Sequence, residues 1–193
     1  MKYLSTILFL LLCKSAFSQD IVEQFREFNG FITVGSEGNA LALAEKIIPG
    51  VSGLSVRKQA IFYYNLGNLH ESRKNTEQAI DFYERSLKLE PNYYVPHLAL
   101  GYLYLKKANI LVPKINGERS NMVLHKQYLS EYSAWMRKAR PHLEKALACD
   151  PNEQVLSTIK SIYKSLKDDS AIISLDLRLK SLENDCVSVL TEE

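Results

Sequence analysis

The pair Leu66-Gly67 returns as Leu100-Gly101 after 34 residues. A second set, Ala79, Tyr83, Ser86, Pro91 and Asn92, returns as Ala139, Leu143, Ala146, Pro151 and Asn152 after 60. Small residues held in step with large apolar ones restrict the fold severely. Small side chains are needed where helices cross closely. Their recurrence at a fixed interval marks stacked helical hairpins, each burying an apolar face on the next. The expected class is all-α: an antiparallel helix-hairpin solenoid with one long insertion.

The rest of the chain can be read against that pattern. Ile21, Val22, Phe25 and Phe28 share one helical face. Gly30 and the stretch Gly35–Gly38 are expected to break that helix. Leu41, Leu43, Ala44, Ile47 and Ile48 predict a second helix, stopped by Pro49-Gly50, which completes an irregular first hairpin over 19–55. Ser55 opens the next helix, whose stripe includes Ala60, Tyr63, Tyr64, Leu66 and Gly67. Lys74-Asn75 makes the turn. The partner helix carries Ala79, Ile80, Tyr83, Leu87 and Leu89 and stops before Pro91, which cannot supply the next hydrogen bond.

The following unit keeps phase from Tyr94 to Tyr104 and regains it only at Ala139, which places the insertion at about 107–137. Its early part, Leu111 to Met122, contains Pro113 and Asn116-Gly117 and is expected to protrude as a loop. Its later part, with Leu124, Tyr128, Tyr132 and Trp135 at helical spacing, extends the second helix upstream. Pro141 should kink or divide that helix. Residues 154–184 close the chain as a capping hairpin. Leu156, Ile159, Tyr163 and Leu166 form its first helix, Lys167-Asp168-Asp169 its turn, and Ala171 to Leu182 its second helix. Ile172, Ile173, Leu175, Leu177, Leu179 and Leu182 make this last helix broadly apolar, which suits a cap or a seat for a partner or a second copy.

Taken together, Tyr63, Leu66, Gly67, Ala79, Tyr83, Ser86 and Pro91 resemble a tetratricopeptide repeat over 60–93, with His70 replacing the usual large aromatic. The resemblance continues, interrupted, over 94–153 and weakens over 154–184. It implies two antiparallel helices per unit, stacked into a right-handed superhelix, with ligands in a concave groove lined by the first helices. Carried over position by position, the groove residues are Ile61, Tyr64, Asn65, Asn68 and Glu71, then Val95, Leu98, Ala99, Tyr102 and Leu105. Asn68 resembles the asparagine that clamps a peptide backbone in co-chaperone members of the family. Tyr64 stands where those members carry a lysine, and Tyr102 replaces their second asparagine, so a carboxylate-terminus clamp is not implied. Tyr64, Leu98, Tyr102 and Leu105 remain as anchors, either open to a peptide or covered by Tyr128, Tyr132 and Trp135 of the insertion. Lys106, Lys107, Lys114 and Arg119 make the insertion a second, basic candidate surface.

The opening residues resemble a cleaved signal peptide over 1–18: Lys2, an apolar run from Tyr3 to Leu12, and the exit Ala16-Phe17-Ser18. The run is shorter than the roughly 20 apolar residues that a membrane span needs. Cys13 follows Leu12, where a lipobox carries a small residue, so lipidation is a poor alternative. Without Lys2 and Lys14, the 24 bases of the chain fall to 22, equal to its 22 acids. That balance gives no electrostatic drive toward nucleic acid. Export permits a disulfide between Cys149 and Cys186, though two thiols would serve a helical stack equally well.

No catalytic pattern emerges. His70, His97, His125 and His142 lie on different elements, and none belongs to a metal-binding pair at helical spacing. No phosphate-cradling loop, nucleophile elbow or C-x-x-C is present, so neither a metal nor another cofactor is expected. The sequence points to an exported, non-enzymatic scaffold or assembly factor, periplasmic or secreted, that binds a peptide or a protein face. A structural subunit joined into a homo-oligomer by its C-terminal helices is the alternative. A pocket-bearing hydrolase or carbohydrate-binding accessory protein is the third.

Overall fold

The structure, a computed structural model, describes residues 20–187; the expected signal peptide lies outside them. They divide into two compact units, 20–90 and 91–187. Every regular element among the described residues is helical, and the one β-bridge, Tyr93 with Val187, is isolated.

The first unit comprises α1 (20–33), α2 (Glu37–Ile47), a 3-10 turn (Ile48–Gly53), α3 (Val56–Ser72) and α4 (Thr76–Leu89). Gly30 does not end α1, contrary to expectation. One glycine in a helix costs about 1 kcal/mol relative to alanine. Burial of Ile21, Phe25 and Phe28 against Phe62, Leu66 and Leu69 outweighs that. The helix ends instead near Gly35, whose φ of +69° suits a residue without a Cβ. Ser55 caps α3 by accepting from the Lys58 amide at 3.3 Å.

Helices α3 and α4 meet at the small residues. A Cβ on Gly67 would lie 2.7 Å from the buried Tyr83 ring, so only glycine lets that ring sit flat on α3. Ala79 is fully buried, and Ser86 donates its hydroxyl to the Ala60 carbonyl at 2.8 Å across the same contact. The Tyr83 hydroxyl donates to Glu71 at 2.8 Å, which anchors the far end of the ring.

The second unit comprises α5 (Tyr94–Asn109), α6 (Val112–Gly117), α7 (Met122–Cys149), α8 (Glu153–Leu166), α9 (Asp169–Ile173) and α10 (Leu175–Leu182). Its central hairpin pairs α5 with α7. Contacts of His97 with His142, Tyr104 with Trp135 and Lys107 with Trp135 run in opposite chain directions, so the pair is antiparallel. A Cβ on Gly101 would lie 2.5 Å from the Leu143 side chain, and Ala139 and Ala146 are buried along α7. The hairpin therefore uses the same device as α3–α4, with a much longer connection.

Three sequence expectations are corrected here. The segment after Leu111 is a short helix rather than a loop, because Pro113 falls in the first turn of α6, where no amide bond is required of it. Pro141 does not divide α7, which runs unbroken for 28 residues. Proline removes a single ladder bond, and burial of Ala139, Leu143 and Ala146 on either side of it favours one continuous helix. Finally, the expected helix from Ala171 to Leu182 is split at Ser174 into α9 and α10. The Ala171 carbonyl there accepts from the Arg178 guanidinium at 2.7 Å, a side-chain partner that replaces helix continuation.

A buried polar cluster fastens α10 to α7 and α8. Glu144, only 5 % exposed, accepts from the Tyr163 hydroxyl and from Arg178 at 3.2 and 3.3 Å. Next to it, the Lys145 ammonium donates to the Leu182 and Asp185 carbonyls at 2.9 and 3.2 Å. A disulfide joins Cys149 at the end of α7 to Cys186, with Cα atoms 5.4 Å apart.

Candidate functional site

The first unit holds an open cleft of about 430 Å³ between the end of α1, the start of α2 and the C-terminal half of α3. Phe31, Ile32 and Leu69 supply its apolar lining, while Asn65, Asn68 and Ser72 supply polar groups. Asn65, Asn68, Leu69 and Ser72 recur three and four residues apart, so one stripe of α3 forms the wall. The Asn65 amide donates to Asn29 Oδ1 at 3.1 Å, which fixes its orientation with the nitrogen toward α1. Asn68 is exposed at the cleft. Gly35 at the rim adds no side chain.

Tyr64 does not join this cleft. Its ring sits 5.8 Å from that of Tyr83, toward α4. Glu71 accepts the Tyr83 hydroxyl and is thereby drawn toward the same helix contact. His70 occupies the place of an expected large aromatic and does an aromatic's packing, stacked on Phe82 at 5.2 Å. Its Nδ1 is buried without a hydrogen-bond partner, and burial, with the nearby Arg73 charge, lowers its pKa.

In the second unit, Leu98, Tyr102, Leu105 and Asn109 follow one stripe of α5. Tyr102 is 38 % exposed, whereas Leu105 is buried. Leu105 and Asn109 line a second cleft, about 500 Å³, with Met136 and the α8 residues Gln154, Ser157, Thr158, Ser161 and Ile162. Trp135 of the insertion covers Tyr104, stacking at 5.7 Å, and Lys107 and Lys138 lie over its ring at 4.6 and 4.9 Å. Lys114 lies over Tyr128 at 5.6 Å, and Arg119 donates to Asn116 at 3.0 Å. Lys106 is exposed.

Below these, His97 and His142 face each other with their Nδ1 atoms 2.9 Å apart. His97 Nε2 donates to the Pro91 carbonyl at 3.0 Å, which makes its Nδ1 the acceptor and His142 Nδ1 the donor. Burial, with His97 beside it, lowers the His142 pKa to about 4.

Residues 60–93, from the second turn of α3 through α4 to Tyr93, match the family described as tetratricopeptide repeat. The chain carries a tetratricopeptide repeat. No curated protein matches the chain. Tetratricopeptide repeats generally mediate protein–protein interactions. In this chain, the first helix of the matched repeat is also the wall of the Asn65–Asn68 cleft. Position-by-position carry-over selected Asn65 and Asn68 but missed Phe31 and Ile32, which lie outside the repeat. The run of apolar residues on α1 continuing past Gly30 was the available signal. Asn109 lies one turn beyond Leu105, the last groove position that the repeat pattern carries over.

Proposed function

We propose that this chain is an exported interaction module that holds an extended peptide in the cleft between α1 and α3. One observation carries the reading: two carboxamides one turn apart, Asn65 and Asn68, stand beside the apolar floor of Phe31, Ile32 and Leu69. A carboxamide offers both a donor and an acceptor, which matches the alternating groups of an extended backbone. The apolar floor would take the peptide's side chains, and contacts of this kind supply most of the binding free energy. Asn65 is already oriented by Asn29, so little ordering would accompany binding. Export is supported by the leader-like residues 1–18 and by the Cys149–Cys186 bridge, since structural disulfides belong to oxidising compartments.

Selection of peptides from a displayed random library against the chain starting at residue 19 tests the reading. Recovered peptides should share an apolar pattern and lose about tenfold or more in affinity to Asn68→Ala, the loss of one or two buried hydrogen bonds. Peptides that bind Asn68→Ala and Ile32→Asp as well as the parent would overturn it. Edman sequencing of the secreted protein tests export, with Gln19 expected at the start.

A second reading has one specific observation. Ile173 and Leu177 are 86 % and 75 % exposed on α9 and α10, which suits a seat for another copy of the chain. Light scattering during size-exclusion chromatography decides it, a dimer that Leu177→Glu dissociates being the result in favour.

A further inference from the structure

We propose that the end of the α5–α7 hairpin docks on an anionic phospholipid surface. The proposal stands on the second unit alone and does not depend on the peptide cleft. Antiparallel pairing of α5 with α7 puts α6 and the first turn of α7 at one end of the hairpin, where Ile115 meets His125, and the last residues of α5 lead into it. None of the six residues of α6 is buried. At this end Ile110, Met122 and Val123 are 59 %, 58 % and 75 % exposed, and Val112 is exposed with them. Ile110, Val112, Met122 and Val123 are four exposed apolar side chains within 14 residues of chain, more than a solvated connection needs.

Charge concentrates at the same place. Residues 106–126 hold Lys106, Lys107, Lys114, Arg119 and Lys126 against Glu118 alone, while the remainder of the chain holds 19 bases and 21 acids. Lys106, Lys114, Arg119 and Lys126 are exposed. Exposed apolar side chains interspersed with cations along one segment match the two layers of a lipid interface, with acyl chains beneath and phosphates above. Tyr128, with Lys114 over its ring, stands one to two turns behind Val123, where an amphipathic ring meets the headgroups. A nucleic acid would use the cations and leave Ile110, Val112, Met122 and Val123 in water. An acidic protein face would need to supply a socket, because the end of a hairpin is a knob and not a groove. A deformable surface needs none.

The test is co-sedimentation of the chain starting at residue 19 with vesicles of phosphatidylcholine alone, or of phosphatidylcholine with about one-third phosphatidylglycerol. Binding to the anionic vesicles is expected, at least tenfold weaker to the neutral ones, and falling as salt rises. Met122→Asp with Val123→Asp should reduce binding by about tenfold or more, as should Lys114→Glu with Lys126→Glu. These positions are exposed, so the helical circular dichroism should stay unchanged. Absence of sedimentation with anionic vesicles would overturn the proposal. So would binding that survives the aspartate pair and is lost only with the lysine pair, which would assign the knob to an acidic macromolecule.

Discussion

At the scale of single residues, the glycines separate into those the packing requires and those it merely tolerates. Gly30 lies within α1 with nothing within 4 Å of an added Cβ. Gly30→Ala is therefore expected to stabilise the chain by about 0.5–1 kcal/mol in urea unfolding, the helix-propensity difference. Gly67→Ala should do the opposite, because the Tyr83 ring is buried on its far side and cannot swing away. Arg178 is a different kind of constraint. Arg178→Ala would leave Glu144 charged and buried without its cation, a loss of about 3–5 kcal/mol. Glu144→Gln in that background should recover part of it, which a simple packing defect would not allow. The histidine pair sets a pH dependence. His142 has a pKa of about 4 folded, against an ordinary value near 6.5 unfolded, so the unfolded chain binds the proton first. Stability is thus fully present above about pH 6.5 and declines as pH falls toward 4, by about 3 kcal/mol. Unfolding titrations between pH 7 and 4 check this, and His142→Phe should flatten that slope.

At the scale of elements, the sequence was most legible where periodicity and small residues agreed. The stripe of α3, the Lys74 turn and the body of α4 all followed from Leu66-Gly67 and Ala79–Ser86, because local pattern and packing there favour the same structure. Breakers were less legible. Gly30, Pro113 and Pro141 are breakers by propensity, and each is tolerated for a tertiary or positional reason that no local pattern records: a phenylalanine core, a first-turn position and a helix packed on both sides of the proline. The division of the last helix at Ser174 depends on Arg178 reaching the Ala171 carbonyl, an arrangement invisible before α7 and α8 are in place. The Cys149–Cys186 bridge closes a separation of 37 residues around these elements. Its reduction is expected to lower stability by up to about 4 kcal/mol on the chain-entropy scale, read as a fall in urea midpoint with dithiothreitol. The Lys145 and Glu144 contacts should keep α10 in place at low denaturant, so far-ultraviolet circular dichroism in buffer should change little.

At the scale of the whole molecule, the candidate sites were only half legible. Groove positions inherited from a repeat pattern identify one wall, here Asn65 and Asn68. The opposite wall comes from whatever precedes the repeat, and Phe31 and Ile32 belong to a helix with no repeat signature. Charge behaves similarly: a chain near electrical balance still sets five cations against one acid at one hairpin end, which net charge conceals. Everything rests on the close approach of paired helices at small residues. The most direct measurement compares the urea unfolding free energy of Gly101→Leu with that of Gly117→Leu. A Cβ on Gly101 would lie 2.5 Å from the Leu143 side chain, whereas one on Gly117 would meet open space. A loss of about 3 kcal/mol or more at position 101, with a change within about 1 kcal/mol at position 117, is the expected result. Equal stability of the two variants would contradict the account.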